Sequence, residues 1–436
     1  MRGFRTPVLK GKRGLLLVVM TMAVMLGAYL AGWYTWEMGY QVEPLTYDIE
    51  YGPAILSGAT FGDAESEMEI LHLEKNCTVH FVVTAAETER LAGEFYDLQL
   101  VLVVVGEDYL LGAVELDLVK EGVPQGTVDE SIFLWGEMDY YVYGWLEYWT
   151  GALVEPVSGN ITVSIYAVQA EGPKWLYVGE GGYGSIQAAI NAASDGDWIY
   201  VEYGEYFENV VVNKSVTLIS EGAMINAAGN GNGFLVLADD VKIMGFEIYD
   251  AVGYQTAGIL LGSIGTTWGG SPVTVSDCLI TMNYIENCSN GIYLWNSSSN
   301  FILANEIYES TDLIGGVPQG IFGNGIILWD GGKDNKVSWN DIEYCDRWGI
   351  FLGANTAVEM DGNKVHENWL YGNGMYSYIP PGNWYWLGIG VMNAQGPITI
   401  TDNYIEINAT ATENALWIQS SSKVYCARNE IVEVYP

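Results

Sequence analysis

The chain has 436 residues, half of which are hydrophobic, and its 54 acidic groups far outnumber its 17 basic groups. The formal net charge of −37 excludes nucleic acid as a partner, because the chain would be repelled by the phosphate backbone. This acidity fits two interpretations, which are solubility and the binding of divalent cations, chiefly Ca²⁺, by surface carboxylates. The sequence predicts no other cofactor.

The N-terminus has the features of an export segment. Residues 1–13 are basic and are predicted to be cytoplasmic, and residues 14–36 form an uncharged apolar segment. A run of this length can cross a bilayer as a helix, and positive charges before it keep the N-terminus inside the cell. The segment is either an uncleaved transmembrane anchor, which would hold the protein at the membrane, or a cleaved signal. Both alternatives predict an extracellular body.

Two further residue types bear on export. Asn-x-Ser/Thr triplets are acceptors for N-glycosylation, and they make candidates of Asn76, Asn160, Asn213, Asn287, Asn296 and Asn408. The five cysteines are odd in number and lack the spacing of a metal site, so buried thiols are the ordinary expectation. A bridge between Cys288 and Cys345, which occupy similar points of different repeats, is left open.

Residues 45–170 are predicted to form a β-sandwich, because seven or eight short alternating strands follow one another between turn signals. With its export segment and the stretch Ser57–Asp63, this acidic unit loosely resembles secreted subunits of bacterial biofilm fibres, archaeal bundling pili and archaeal extracellular tubes. The resemblance implies that residues 33–50 could complete the sheet of a neighbouring subunit. The alternative is a sandwich that serves as a spacer.

Residues 174–436 have a different character. A short helix is predicted at 185–193, with Ser185 as its N-cap, and strands and turns follow it at once. This opening resembles that of pectate-lyase-like right-handed parallel β-helix proteins, a class that includes the periplasmic copper-binding maturation group and many archaeal surface proteins. The resemblance implies an all-β chain in which the helix covers the first coil's open edge.

Repeats support a β-helix with coils of about 22 residues. An Asn-x-Ile/Leu step recurs at Asn283, Asn305, Asn340, Asn368, Asn403 and Asn429. We expect these asparagines to adopt left-handed backbone geometry at a bend and to hydrogen-bond one another in a ladder. A Gly-Ile step follows at Gly258, Gly291, Gly325, Gly349 and Gly388, where we expect glycine to supply a positive φ.

Two longer repeats locate insertions at one bend of the coil, between Asn305 and Gly325 and between Asn368 and Gly388. The second insertion is densely aromatic, with Tyr376, Tyr378, Trp384, Tyr385 and Trp386. Such rings fit packing against another subunit or domain, stacking on a glycan, or packing within the loop itself.

An enzyme site has one candidate in the sequence. Asp330, Asp334 and Asp346 could hold Ca²⁺, with Lys333 or Arg347 as the base of a polysaccharide lyase. The alternative is a solvated salt-bridge patch. The signatures Asn-Thr-Asp, Gly-His-Gly and Arg-Ile-Lys of pectinase hydrolases are absent, and a body poor in histidine does not fit a copper chaperone.

The leading hypothesis is therefore an extracellular structural or adhesive protein of the cell surface, within a filament, tube or surface layer. Its predicted partners are further copies of itself, other cell-surface proteins or a polysaccharide. The alternatives are a polysaccharide lyase or hydrolase acting on acidic glycans, and a glycan-binding module without catalysis.

Overall fold

The computed structural model describes residues 45–51, 61–65, 69–73, 76–106, 110–136, 138–149, 159–169, 172–229, 231–263, 271–311, 313–314, 317–318, 322–374, 388–408 and 415–434. The predicted basic and apolar N-terminal segments (1–13 and 14–36) lie outside these residues, as does the aromatic loop from Tyr376 to Trp386. In the part of the chain that is described, no helix has the length and apolar character needed to cross a bilayer.

The described chain consists of strands apart from two short helices, α1 (Ala85–Leu91) and α2 (Ile186–Ala192). Each helix begins after a hydroxyl residue that caps it: Thr84 Oγ1 accepts a hydrogen bond from Glu87 N, and Ser185 Oγ accepts one from Ala188 N at 3.1 Å. The prediction of an all-β chain is confirmed.

Residues 45–169 form two antiparallel sheets. Their strands are β1 (Leu45–Tyr51), β2 (Phe61–Glu65), β3 (Glu69–Leu73), β4 (Cys77–Val83), β5 (Asp97–Val105), β6 (Leu110–Lys120), β7 (Val123–Pro124), β8 (Val128–Leu134), β9 (Met138–Trp149) and β10 (Gly159–Gln169). One sheet has the order β1-β10-β4-β8 and the other β2-β9-β5-β6-β7, with β3 beside β9. Phe81, Leu100 and Leu116 are fully buried in a core shared by both sheets. We call these residues the N-terminal unit.

Strand β1 pairs with β10 of the same chain, from Leu45 opposite Ile165 to Tyr51 opposite Gly159. These residues therefore complete the chain's own sheet in this structure. Residues 33–44, the remainder of the expected donor segment, lie outside the described residues. Donation to a neighbour stays a prediction.

From Trp175 onward the chain winds into stacked coils whose parallel strands run in three series, which we call sheets A, B and C; A and B are joined through Ile389–Thr401. Sheet A contains Val210–Val212, Phe234–Val236, Ile259–Leu261, Asn290–Trp295, Asn324–Trp329, Ile350–Glu359, the first part of Ile389–Thr401, and Leu416–Gln419. Sheet B contains Trp175–Val178, Trp198–Val201, Thr217–Ser220, Lys242–Met244, Leu279–Thr281, Phe301–Leu303, Lys336–Ser338, Lys364–His366, the second part of Ile389–Thr401, and Ser422–Ala427. Sheet C contains Glu205–Tyr206, Met224–Asn226, Glu247–Tyr249, Tyr284–Glu286, Glu306–Tyr308, Asp341–Glu343, Trp369–Tyr371, Tyr404–Asn408 and Glu430–Val434. A small hairpin, Leu313–Ile314 with Val317–Pro318, stands in the first insertion.

The core of this stack is a set of apolar columns. In sheet C the middle residue of each strand lies over that of the coil before, as Ile285 lies over Ile248 and under Ile307. These side chains are completely buried in one continuous core. Because no coil could bury its apolar face alone, the stack supplies the stability. The predicted parallel β-helix is confirmed.

Helix α2 covers the first coils. Its Ile186, Ala189 and Ile190 are buried in the same core as the strands. Glu208 accepts hydrogen bonds from the backbone N–H groups of Ile186 and Gln187, at 3.0 and 3.1 Å, and so satisfies the helix N-terminus.

The predicted asparagine ladder is confirmed. Each Nδ2 donates to the Oδ1 of the next asparagine at 2.9 to 3.0 Å, along the series Asn283, Asn305, Asn340, Asn368, Asn403 and Asn429. Each Oδ1 also accepts the backbone N–H of the preceding asparagine, as Asn340 does from Asn305 at 3.0 Å. The ladder thus satisfies buried polar groups of both the side chains and the backbone.

The expected backbone geometry of these asparagines is wrong. The left-handed conformation belongs to the residue before each of them, with φ between 51° and 58° at Met282, Ala304, Trp339, Glu367, Asp402 and Arg428. The asparagine instead turns its amide inward to the ladder, so the bend is made one residue earlier. For residues with a Cβ this geometry costs roughly 1–2 kcal/mol each, which the ladder's hydrogen bonds offset.

The expected role of the glycine step is also wrong. Gly258, Gly291, Gly325, Gly349 and Gly388 are not among the residues with positive φ. They are needed for space: a Cβ at Gly325 would lie 2.4 Å from Ile342 Cγ2 and 2.5 Å from the carbonyl oxygen of Gly349. A Cβ at each of the other four glycines would also lie within 2.5 Å of a neighbouring atom, so only a hydrogen atom fits at these positions.

We expect Asn340→Ala to lower the free energy of unfolding by about 3 kcal/mol or more, because several buried polar partners lose their hydrogen bonds at once. Urea denaturation followed by circular dichroism measures this. Asn429→Ala, at the partly exposed end of the ladder, is the control and should cost less than half as much. Equal losses for the two variants would contradict the ladder's role.

We expect Gly325→Ala to destabilise the protein by about 1–3 kcal/mol through overpacking against Ile342. Gly184→Ala is the matched control, because a Cβ there meets nothing within 4 Å and the residue has no positive φ. The thermal midpoints of the two variants and the wild type give the comparison. A Gly325→Ala variant as stable as the control would show that space is not the constraint.

Candidate functional site

The outer surfaces of the three sheets have different chemistry. The N-terminal unit covers the middle of the outer face of sheet B. Val101 and Val103 of β5 pack against Leu279, Phe301 and Leu303 of sheet B in one buried cluster. This part of β5 is therefore buried on both of its faces.

Polar contacts complete the same interface. Lys336, which is 1% exposed, forms an ion pair with Glu115 of β6. Lys364 Nζ donates to Gln99 Oε1 at 3.1 Å, and Gln99 Nε2 donates to Glu115 and to Asp117 at 2.7 and 2.6 Å. Sheet B is thus committed to an internal contact.

Aromatic and acidic groups extend this contact. Trp135 lies 5.2 and 5.4 Å, between ring centroids, from Trp175 and Trp198 in the first strands of sheet B. At Glu130, burial and then the nearby carboxylates of Asp129, Asp117 and Asp277 raise the pKa of the side chain.

The outer face of sheet A is apolar. Leu235, Leu260, Tyr293, Ile327 and Phe351 form one column, and each is 8% exposed or less. The next position is Gly390, where a Cβ would lie 2.8 Å from the ring of Trp348. Apart from the phenol of Tyr293 this column contains no titratable side chain, so it offers no carboxylate or histidine for general acid–base catalysis.

The outer face of sheet C carries mainly aromatic and acidic side chains along its nine strands. We name it the tyrosine–carboxylate face. One column comprises Glu205, Met224, Glu247, Tyr284, Glu306, Asp341, Trp369, Tyr404 and Glu430. The other comprises Asn226, Tyr249, Glu286, Tyr308, Glu343 and Tyr371, followed by Glu406 and Val432. Neither column contains a lysine, arginine or histidine.

Contacts within the tyrosine–carboxylate face hold its side chains in place. The hydroxyl of Tyr249 donates to Glu247 at 2.8 Å. The hydroxyl of Tyr284 donates to Glu286 at 2.9 Å. The face is therefore a pre-ordered surface, which lowers the entropy cost of binding.

Ring contacts link successive coils of this face. Tyr344, in the bend after sheet C, lies 5.3 Å from Tyr308 and 5.1 Å from Tyr371, both edge-on. Trp369 and Tyr404 stack with their ring centroids 4.0 Å apart. Stacking therefore covers one ring face of Trp369 and one of Tyr404.

The electrostatic potential of this face is negative, because its two columns contain carboxylates and no basic side chain. Burial raises the pKa of Glu306, and burial together with the charges of Glu306 and Glu406 raises that of Glu343. Burial, a hydrogen bond to Glu247 and nearby carboxylates also raise the pKa of Tyr249. The face therefore suits a partner that brings positive charge or hydrogen-bond donors.

The predicted lyase residues occupy two different bends. Asp330, Lys333 and Asp334 follow sheet A, whereas Asp346 and Arg347 precede it. The backbone N–H of Arg347 bonds to Gly323 at one end of strand Asn324–Trp329, and Asp330 lies at the other end. Six residues of strand span roughly 20 Å. The structure does not bring the two groups together.

Lys333 instead has partners that the sequence did not indicate. Its Nζ lies 2.7 Å from Glu359 and 3.4 Å from Asp361, in the next coil. Among the described residues, no group of three or more His, Cys, Asp or Glu side chains is arranged to hold a metal ion. The lyase and Ca²⁺ assignments stay predictions.

The glycosylation candidates differ in exposure. Asn213, Asn287 and Asn296 are exposed, although Asn287 Nδ2 donates to Asp250 at 2.6 Å. Asn76 is partly buried and accepts a hydrogen bond from Gly136 N at 2.9 Å. Asn160 lies in β10, and Asn408 ends a strand of sheet C.

The five cysteines are free. The bridge left open between Cys288 and Cys345 does not form, because the coil that contains Ser310 lies between the two cysteines. The backbone N–H of Thr311 donates to the carbonyl oxygen of Cys288, and the backbone N–H of Asp346 donates to that of Ser310. Two coil steps separate the thiols by more than a disulfide can span. Burial raises the pKa of both thiols to about 12, so they stay protonated.

We expect Glu306→Gln and Glu343→Gln to raise the thermal midpoint at pH 7. Their folded-state pKa values are raised, so the stability they contribute when protonated is lost as pH rises through the folded pKa. The gain of each variant should vanish below the ordinary pKa of 4.5, where the wild-type carboxyl is also neutral.

Calorimetry across pH measures this gain, and Glu359→Gln is the control. Lys333 lowers the pKa of Glu359, so its removal should have no effect or destabilise at pH 7. A loss of stability in Glu343→Gln at neutral pH would contradict the claim that the charged carboxylate of Glu343 destabilises the folded protein.

Comparison with known proteins agrees with this geometry. Residues 223–431 match the family model described as "Right handed beta helix region". A stretch of 185 residues is 33% identical to a cell surface glycoprotein of Methanothermus fervidus, covering 42% of this chain and 26% of that protein. The chain thus spans about a quarter of the length of this curated relative.

Solved structures with a similar arrangement are distant. Pectate lyase Pel9A matches with a TM-score of 0.41 and 12% identity, over 60% of this chain and 80% of that one. Tailspike protein 2 of Escherichia coli O157:H7 bacteriophage CAB120 matches with a TM-score of 0.38 and 12% identity, over 62% and 39% of the two chains. The strands described within residues 223–431 form a parallel β-helix, in keeping with the right-handed family model that this range matches.

Proposed function

We propose that the protein is an extracellular protein of the cell surface with a structural or adhesive role, in which the β-helix presents the tyrosine–carboxylate face to a partner. The observation that carries this proposal is that acids and aromatic rings make up most of the two outer columns along the nine strands of sheet C, and that they alternate from Tyr249 to Tyr371 in one of these columns. Sheet B is occupied by the N-terminal unit, and the outer column of sheet A is apolar and buried.

Location at the surface has separate support. A relative bears the name cell surface glycoprotein, and exposed glycosylation candidates lie on the β-helix. In this proposal residues 14–36 export the protein or anchor it in the membrane. The N-terminal unit would be a β-sandwich, in keeping with its two antiparallel sheets and single core.

A structural role is favoured over catalysis by the positions of the polar groups. Lys333 is engaged by Glu359 and Asp361, and Arg347 lies at the far end of a sheet A strand. An extended, rigid and chemically repetitive face can make many weak contacts at the same time, which suits adhesion through avidity. Catalysis instead requires that one substrate bond be held in a single position.

The chemistry of the face narrows the kind of partner. Carboxylate and phenol oxygens accept hydrogen bonds, and such groups recur along the face. We therefore propose a partner in the cell envelope that presents basic side chains. Such binding should weaken as the salt concentration rises.

The test compares two variants of the full-length chain with equal changes of charge. Glu286→Gln/Glu306→Gln/Glu343→Gln removes three acids from the tyrosine–carboxylate face, and Glu89→Gln/Glu180→Gln/Glu221→Gln removes three from other surfaces. Sedimentation with envelopes of the producing cells, from a strain lacking the gene, measures binding. We expect the face variant to bind several-fold more weakly and the control to bind like the wild type, because only the first alters the contact surface.

Two results would count against this function. Equal binding by both variants would remove the face from the contact. A protein that is protected from protease added to intact cells would not be at the surface.

A further inference from the structure

A lysine lies buried at the contact between the N-terminal unit and sheet B, and the proposed function makes no use of it. Lys336 is 1% exposed and is among the largest fully buried side chains of the described residues. Its Nζ lies 5.1 Å from the centre of the Phe301 ring, and Val101 and Val103 belong to the apolar cluster that contains this ring. An ammonium group loses its hydration in such surroundings, at a large cost in free energy. The cost raises the question of what the amine does there.

The partner of this amine is a carboxyl group on the other side of the contact. Lys336 Nζ and Glu115 Oε1 touch directly, and Val101 stands opposite Glu115 in the antiparallel pair of β5 and β6. The side chain of Glu115 is 20% exposed, so a small product can leave from it. A nitrogen that touches a carboxyl oxygen also lies close to the carboxyl carbon, because one short bond joins these two atoms. The pair is therefore placed for attack of nitrogen on carbon.

A third side chain acts on the other oxygen of the same carboxyl group. Gln99 Nε2 donates to Glu115 Oε2 at 2.7 Å and to Asp117 Oδ1 at 2.6 Å. Gln99 Oε1 accepts from Lys364 Nζ at 3.1 Å, so both ends of the amide are held. A fixed N–H donor at Oε2 favours attack on the carbon, because negative charge develops on that oxygen in the tetrahedral intermediate.

We propose that Lys336 and Glu115 condense to an isopeptide bond, an amide between two side chains, which joins the β-helix covalently to the N-terminal unit. A proton first moves from the Nζ ammonium to Oε1, which gives a neutral amine and a carboxylic acid. The nitrogen lone pair then forms a bond with Cδ, and an electron pair moves onto Oε2, where Gln99 stabilises it. A second proton passes from nitrogen to Oε1, the Cδ–Oε1 bond breaks, and the carbonyl re-forms as one water molecule leaves.

The reaction needs no oxidant, reductant or other reagent. The nitrogen loses two protons and the carboxylate loses one oxygen, so the products are a neutral amide and water. Condensation of separate molecules in water is unfavourable, but groups held in contact react as if at effective concentrations of roughly 10⁵–10⁸ M. The product also replaces two charges at a buried contact by a neutral group, which removes the cost of desolvating them.

This inference goes beyond the proposed function, because it does not depend on the tyrosine–carboxylate face or on where the protein acts. The bond closes a covalent ring from Glu115 to Lys336. A force on the chain could then not separate the N-terminal unit from sheet B without breaking a covalent bond. The alternative is that the two groups remain an ion pair, and the experiment distinguishes these states.

The experiment digests the purified full-length chain with trypsin after denaturation and analyses the peptides by tandem mass spectrometry. Trypsin does not cleave after a lysine whose amine has become an amide. We therefore expect a branched peptide made of residues 91–120 and 334–347, with a mass one water below the sum of the two. Recovery of the linear peptides 91–120 and 334–336 from the folded wild type, with no branched peptide, would overturn the proposal.

Two lysine variants test the position of the bond. Lys336→Arg keeps the positive charge but has no primary amine, so the branched peptide should be lost. Lys364→Arg is the matched control and should keep it, because Lys364 lies beside Lys336 in sheet B yet contacts Gln99. A branched peptide containing residues 91–120 in Lys336→Arg, or its loss in Lys364→Arg, would show that Lys336 is not the residue that reacts.

A second measurement does not depend on the folding of a variant. The covalent ring keeps the wild-type chain more compact in denaturant, so the folded and purified protein should migrate faster on a denaturing gel than the same chain isolated directly in urea. In urea the two side chains are not held together and the bond should not form. Equal migration of the two samples would contradict the bond.

Discussion

The hydrogen-bonded stacking of one coil on the next in register is the constraint on which this molecule depends. It places like residues in columns, so that the amide of Asn340 both accepts from Asn305 and donates to Asn368. The same register builds the isoleucine columns inside and the acid and aromatic columns outside. The core, the bends and the surface chemistry thus all follow from the repeated step that stacks each coil on the one before it.

The coil repeat could be predicted from the sequence because the ladder asparagines must recur wherever the stack continues. The bends could not be predicted in the same detail. Met282, Ala304 and Trp339 have no preference for left-handed geometry, and the conformation is imposed on them by the coils on either side. Glycine has two uses, positive φ and space, and only the neighbouring Ile342 shows that Gly325 serves the second.

The covered face of sheet B was missed for a related reason. Lys336 and Lys364 stand in short polar-looking strands, where lysine ordinarily indicates solvent exposure, and their partners lie more than two hundred residues earlier in the chain. One signal was present: Leu100–Val105 is an unbroken apolar run, which is typical of a strand buried on both faces. The tyrosine–carboxylate face needed the register of sheet C, since neighbours in its columns are 19 to 37 positions apart in the sequence.

The contact of Val101 and Val103 with Leu279, Phe301 and Leu303 bears on how the chain is divided. The change of composition near residue 172 marks a change of architecture. The apolar side chains on the outer face of sheet B nevertheless pack against those of the N-terminal unit, so the buried contact joins the two parts. Cutting the chain there would expose buried valine and leucine side chains to water on both fragments. It would also leave Lys336 without its ion-pair partner Glu115. Each of the two architectures therefore covers apolar surface of the other.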